Sequence, residues 1–335
     1  MGRKLILLFD GTWNNGKDKT NVFQLKNLLA EQDIDGNPQL ARYITGVGTK
    51  PHTRILGGMF GAGLSDNIMD GYAWLCRNYR PGDEIYSFGF SRGAYTARSL
   101  AGIIRKCGLL TNPSNSQLKE ADKLYRNKNA APAKSLATQF RQAHSVETRV
   151  KFVGVWDTVG ALGVPISGLP FSRKKYQWHD TELSKIVDYA YHAMAIDEHR
   201  KDFDVAVWEN KLKPENIDVE QRWFIGAHAN VGGGYEHDHL HRFALQWMID
   251  KATATGLSFT DQVNIGRNDH LAGITDSFGD FMHGLYKNFK DRHHRRFGKG
   301  QNETVDDSVW QRWHGLPAYR PIVLAPLTPP DHPLE

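Results

Sequence analysis

The sequence predicts an α/β protein: a mostly parallel central sheet, helices on both faces, and lid-like insertions. Three observations point there. Apolar or β-rich runs at residues 5–9, 85–88, 149–155 and 221–225 recur with helix-like or polar stretches between them. That alternation suits parallel strands covered on both faces. Each run ends in a polar turn: Asp10-Gly11-Thr12, Gly89-Phe90-Ser91, Trp156-Asp157-Thr158 and Gly226-Ala227-His228. Loops at the carboxyl ends of parallel strands are where such folds bind ligands. Small residues then follow the second turn at Ala94, Ala97 and Ala101, the narrow face of a helix lying on a sheet. The chain has 335 residues, room for one large domain or two modest ones, and 40% of them are hydrophobic, which supports a core; one domain over 1–335 is expected. Its core is expected at about 4–260, with a basic, aromatic extension over 261–335 packing on it.

Taken in order, residues 5–9 (Leu-Ile-Leu-Leu-Phe) read as a buried strand. The loop after it offers the N–H of Gly11 or Thr12 as half of an oxyanion pocket. Asp10 beside them could be a metal ligand, a hydrogen-bonding brace or a plain turn cap. Val22, Leu25, Leu28 and Leu29 give residues 21–31 a helical period, and 42–44 make a short second strand. The glycine-rich stretch 46–63 admits either an apolar flap or an irregular loop. It lacks the Gly-Lys-Ser/Thr of a phosphate loop, which disfavours nucleotide hydrolysis. Residues 67–79 read as a helix, stopped by Arg80-Pro81-Gly82.

Residues 85–94 combine a strand, the turn Gly89-Phe90-Ser91-Arg92-Gly93 and a helix, the nucleophile-elbow pattern of α/β-hydrolases. The chemistry explains the spacing. Ser91 must sit on a strained turn that lifts its hydroxyl clear of the sheet, and a Cβ at Gly89 or Gly93 would collide where strand and helix cross. Arg92 then places its N–H at a helix start, where it can help hold an oxyanion. The bland alternative is an ordinary turn whose serine caps the helix.

Beyond the elbow, residues 116–129 read as a helix broken at 130–133, and 149–155 as a strand. Asp157 follows that strand, the expected place for a carboxylate that orients a histidine; the competing account is a structural aspartate in a turn. Residues 161–180 mix apolar and basic groups, fitting an acyl-chain entrance or a surface excursion. Residues 186–195 read as a helix leading to Asp197, a second candidate acid ranked below Asp157. His228 lies just past the strand at 221–225, in a glycine–alanine turn that lets it swing over a nucleophile. The chain order Ser91, Asp157, His228 is that of the hydrolases. In Glu236-His237-Asp238-His239-Leu240-His241, a helix capped by Asp238 is simpler than a metal site, so no metal is assigned. Residues 278–299 are aromatic and basic, suited to a membrane surface or an acidic partner if not merely a solvated face. The proline-rich end, 321–333, reads as extended.

A net charge of +5 is too diffuse to argue for nucleic acid but fits an anionic surface. Cys76 and Cys107 have no metal spacing and read as buried thiols. The apolar run at 5–9 is too short for a signal-peptide core, so the chain is expected in the cytoplasm as synthesised, with any export needing a route without a cleaved signal.

Four segments together resemble the catalytic domain of type VI secretion phospholipase effectors: Phe-Asp-Gly-Thr-Trp-Asn (9–14), Gly-Phe-Ser-Arg-Gly-Ala (89–94), Val-Gly-Val-Trp-Asp-Thr-Val-Gly (153–160) and Gly-Ala-His-Ala-Asn-Val-Gly-Gly-Gly-Tyr (226–235). Ala-Ile-Asp-Glu-His-Arg (195–200) adds a weaker match, and the likeness spans about residues 4–260. It implies Ser91 as nucleophile, Asp157 as acid and His228 as base, with ester hydrolysis of glycerophospholipids, phospholipase A-type; hydrolysis through an acyl-enzyme that water cleaves requires no cofactor. It also implies a lipid or membrane-surface ester substrate, and an immunity or secretion-apparatus partner. Rival expectations are an esterase for soluble or polymeric esters, a non-catalytic membrane or partner-binding module on a hydrolase fold, and a metal-dependent hydrolase using Asp10.

Overall fold

The computed structural model describes residues 2–331 except 12–13, 15, 47–58, 161–181, 210–211, 282–283 and 285. The first apolar run is β1 (Lys4–Phe9), buried at every position. Period-two alternation sends Leu5, Leu7 and Phe9 into one core and Ile6 and Leu8 into another, so the strand needs no polar face. Each such side chain contributes about 1.5–3 kcal/mol on leaving water. The Thr20 hydroxyl accepts the Phe23 N–H and so caps α1 (Asn21–Leu28), which β2 (Gln39–Ile44) follows. The helix α2 (Met59–Asn78) starts inside the glycine-rich stretch. Residues 59–63 are therefore helix, and most of the expected flap lies outside the described residues.

The elbow strand is β3 (Glu84–Phe90), and α3 (Arg92–Cys107) leaves it. A small antiparallel ribbon, β4 (Leu109–Leu110) with β5 (Ser145–Val146), brackets α4 (Asn115–Arg126) and α5 (Ser135–His144). Then come β6 (Val150–Trp156), β7 (Val187–Ala195) and β8 (Asp218–Phe224). Residues 186–195 are thus a strand, not a helix. Val187, Ala190, Tyr191 and Ala193 to Ala195 are buried on both faces, which erases the alternation that marks a strand and leaves an apolar run compatible with either period. After β8 the chain forms α6 (His228–Gly232), α7 (His241–Ala254), α8 (Ser277–Asp280), β9 (Glu303–Val305) and α9 (Asp307–Gly315). Asp238 accepts the Leu240 N–H at 2.9 Å just ahead of α7, although the cap position itself is Leu240.

Seven strands join in the order β2-β1-β3-β6-β7-β8-β9, each neighbouring pair parallel. A further strand unread in the sequence, β9 from the C-terminal segment, pairs with β8 through Gln221↔Glu303 to Trp223↔Val305. That segment also buries Val309, Trp310, Val323 and Leu324 against Trp223 and Ile225. Helices α2 to α5 cover one face of the sheet, while α1 and α7 cover the other. The thiols of Cys76 and Cys107 are free and buried on α2 and α3, and burial pushes them up to about 11 and about 12. The strand order reverses between β1 and β3, which opens a crevice beyond their carboxyl ends. Asp10 and Ser91 sit at that crevice.

Candidate active site

Ser91 has φ 58° and ψ −119°, a conformation that costs a non-glycine residue about 1–3 kcal/mol. Its surroundings enforce the strain. The Ser91 N–H donates to Trp156 O at 3.0 Å, extending the β3–β6 ladder past the end of β3. A Cβ on Gly89 would lie 2.3 Å from Gly93 O, and one on Gly93 would lie 2.2 Å from Phe9 O. Only glycine lets strand and helix approach this closely. The serine hydroxyl does not cap α3; it lies 2.9 Å from His228 Nε2.

His228 begins α6, after a turn in which Gly226 has φ 105° and the Asn230 side chain accepts the Ala227 N–H at 3.0 Å. The His228 N–H donates to Glu198 Oε2 at 3.2 Å. Phe90 and Phe203 pack on the imidazole, with centroids at 4.7 and 5.2 Å. Nδ1 lies 2.5 Å from Asp157 Oδ2. A proton on Nδ1 leaves the Nε2 lone pair facing the serine hydroxyl. Burial holds the imidazole below its ordinary value, against the opposing pull of Asp157.

Asp157 is fully buried, with φ 39°. Its Oδ1 accepts the Ala195 N–H at 2.9 Å. The Arg295 guanidinium forks the carboxylate, Nη1 to Oδ1 at 2.6 Å and Nη2 to Oδ2 at 2.9 Å. Burial alone would raise this carboxyl, but the Arg295 charge and the bonds from His228 and Arg295 outweigh it and hold the acid well below the usual carboxylate range. Sequence reasoning missed Arg295. It sits in the run read as membrane-facing or solvated, yet it is 1% exposed while Arg292 and Arg296 beside it are exposed. No local signal separates one arginine from its neighbours.

The other candidates fall around this trio. Asp10 is buried and braced: Oδ2 accepts the Thr20 hydroxyl at 2.8 Å and the Tyr43 hydroxyl, and Oδ1 accepts the Gly11 N–H at 2.7 Å. Burial pushes its carboxyl up to about 6. The Gly11 donor is thereby engaged, while Thr12 lies outside the described residues, as does the expected acyl-chain entrance at 161–180. Arg92 is the first residue of α3, its side chain buried and lowered to about 10 by that burial. Asp197 lies two residues past the end of β7, and its Oδ2 accepts the Gly226 N–H at 2.8 Å and the Tyr319 hydroxyl at 3.0 Å. It ties loop to C-terminal segment, whereas the carboxylate on His228 is that of Asp157. Among the described residues, no group of three or more His, Cys, Asp or Glu is placed to hold a metal ion, and no helix is long and apolar enough to cross a membrane.

A parallel α/β sheet carrying a strained serine, a histidine and a buried aspartate in one hydrogen-bonded series defines an α/β-hydrolase-like protein. Residues 3–251 match the family model of the type VI secretion system Tle1-like phospholipase effector catalytic domain, and the chain belongs to that family. It is 32% identical over 228 residues to uncharacterized protein YEL023C of Saccharomyces cerevisiae, an alignment covering 60% of this chain and 32% of that one. A solved Tle1 effector bound to the VgrG spike of the type VI secretion system is 20% identical, covering 70% of this chain and 51% of that chain, with a TM-score of 0.38. An uncharacterized protein from Pseudomonas aeruginosa is 17% identical, covering 87% and 51%, with a TM-score of 0.47. The chain thus spans about a third of the yeast relative and about half of each solved relative.

Proposed function

We propose that the protein is a serine ester hydrolase acting on glycerophospholipids. The observation that carries the proposal is the unbroken series Ser91 Oγ to His228 Nε2 at 2.9 Å and His228 Nδ1 to Asp157 Oδ2 at 2.5 Å. His228 takes the Ser91 proton as the hydroxyl attacks an ester carbonyl, and Asp157 fixes the tautomer and stabilises the imidazolium. The N–H of Arg92 is one proposed oxyanion donor. The other is the N–H of Thr12, or that of Gly11 once it turns from Asp10. Each such donor is worth about 3 kcal/mol of barrier. His228 then returns the proton to the leaving alcohol, and water hydrolyses the acyl-enzyme.

Family membership supports the lipid substrate. So does an exposed stretch of the C-terminal segment, where Phe289 is 80% exposed among exposed Lys287, Lys290 and Arg292, a composition suited to an anionic membrane surface. By the same membership we propose a secretion-apparatus partner and an immunity partner for the whole protein, and export from the cytoplasm without a cleaved signal.

The test is mass spectrometry of products from mixed phospholipid vesicles, comparing wild type with Ser91→Ala. Lysophospholipid and free fatty acid should form with wild type only. Turnover of short-chain esters with no response to vesicles would move the substrate to soluble esters. Folded protein with neither activity would leave a binding module.

A further inference from the structure

We infer that Arg295 is a positioning residue for the hydrolytic triad, holding Asp157 in the one orientation that serves His228. This rests on the serine-hydrolase reading above. The carboxylate of Asp157 has four donors: the Ala195 N–H and Arg295 Nη1 on Oδ1, and His228 Nδ1 and Arg295 Nη2 on Oδ2. Of these donors Arg295 is the one residue that bonds both oxygens, so it constrains the carboxylate plane as well as its position. Planar, two-pronged recognition of this kind belongs to guanidinium and not to ammonium.

Two more bonds anchor the clamp, Nη1 to Ala195 O at 2.7 Å and Nη2 to Phe203 O at 2.6 Å. Phe203 also packs edge-on against the His228 ring. One guanidinium therefore locates both the acid and a wall of the base's pocket. Arg295 lies outside the residues matched by the family model, 3–251, so the C-terminal segment completes a site whose other members precede it.

Among the described residues, the other charged or titratable groups around this cluster are His192, beside Asp157 with Arg98 next to it, and Glu198, Arg200 and Asp204 around His228 and Arg295, with Tyr235 beside Glu198 and Arg200. With Arg295 gone, the Asp157 charge would face His228 with its main counter-cation removed, which favours the imidazolium form. The acidic limb of activity should then move to higher pH.

The experiment measures kcat and KM on a short-chain ester across pH for wild type, Arg295→Met, Arg295→Lys, Asp157→Asn and Ser91→Ala, with a thermal melt of each. Arg295→Met should lose about 10²-fold in kcat, the scale of a misplaced catalytic group, with KM little changed and the acidic limb displaced upward. Arg295→Lys should lose less and keep the limb in place, because the charge remains while the fork does not. A folded Arg295→Met with the kcat and pH profile of wild type would overturn the inference. Should Arg295→Met fail to fold, Arg295→Lys decides: reduced kcat supports positioning, and wild-type kcat contradicts it. Wild-type turnover in Ser91→Ala and Asp157→Asn would sink the hydrolase reading and this inference with it. Loss in those two beside wild-type behaviour in the Arg295 variants would sink this inference alone.

Discussion

The sharpest packing prediction concerns Gly93→Ala. The new Cβ would lie 2.2 Å from Phe9 O and 2.6 Å from Asp10 O, and contacts of this kind are essentially never below 3.0 Å. Both obstacles are backbone, so α3 must move from the end of β1 by about 0.8 Å, the shortfall at Phe9 O. Overpacking of that kind costs about 1–3 kcal/mol, and the better helix propensity of alanine returns about 1. Net destabilisation should be about 0–2 kcal/mol. Function should suffer more. Ser91 is two residues away, and its 2.9 Å contact with His228 rides on the helix start. A misplacement near 1 Å costs about 10²-fold, or roughly 2.7 kcal/mol of barrier. Urea unfolding and kcat on a short-chain ester would be measured together, with Gly273→Ala as control because nothing lies within 4 Å of its Cβ position. The control should stay within about 0.5 kcal/mol of wild type. Wild-type kcat and stability in Gly93→Ala, or equal losses in both variants, would refute the elbow account.

Asp157→Asn should lose up to about 10⁴-fold in kcat with a small change in KM, since the amide favours the wrong imidazole tautomer; steady-state kinetics checks it. The acidic limb of kcat/KM in the wild type should fall below the ordinary histidine value of 6.5, because burial depresses His228. Glu198 is held at about 2, below its ordinary 4.5: burial would raise it, but the bond and charge of Arg200 dominate. A depressed carboxyl stabilises the fold fully above pH 4.5 and loses that contribution as pH falls toward 2. Glu198→Gln should therefore flatten urea stability against pH across that window, by on the order of 3 kcal/mol. Tyr319→Phe removes a donor from Asp197 and should cost about 1 kcal/mol in the melt while leaving kcat unchanged.

Much of the site was legible because each member carries a local signature. Ser91 lies between two glycines that only a strand–helix crossing requires, and Asp157 and His228 each follow a β-rich run by one turn. Asp197, the second candidate acid, carries no such signature, and its role as a brace emerges only from Gly226 and Tyr319. What stayed hidden depends on distant contacts. Residues 186–195 lost their strand alternation to two-sided burial, and β9 has only three residues to announce it. Arg295 is one cation in a basic run, distinguished by a partner 138 positions earlier. The orientation of the Gly11 N–H toward Asp10 is a backbone detail that residue type does not encode.

The central claim is that His228 activates the Ser91 hydroxyl. A fluorophosphonate probe followed by peptide mass spectrometry tests this directly on folded wild type and His228→Ala. The account predicts label on Ser91 in wild type and its loss in the variant. An unlabelled wild type, or label confined to another residue, would contradict it.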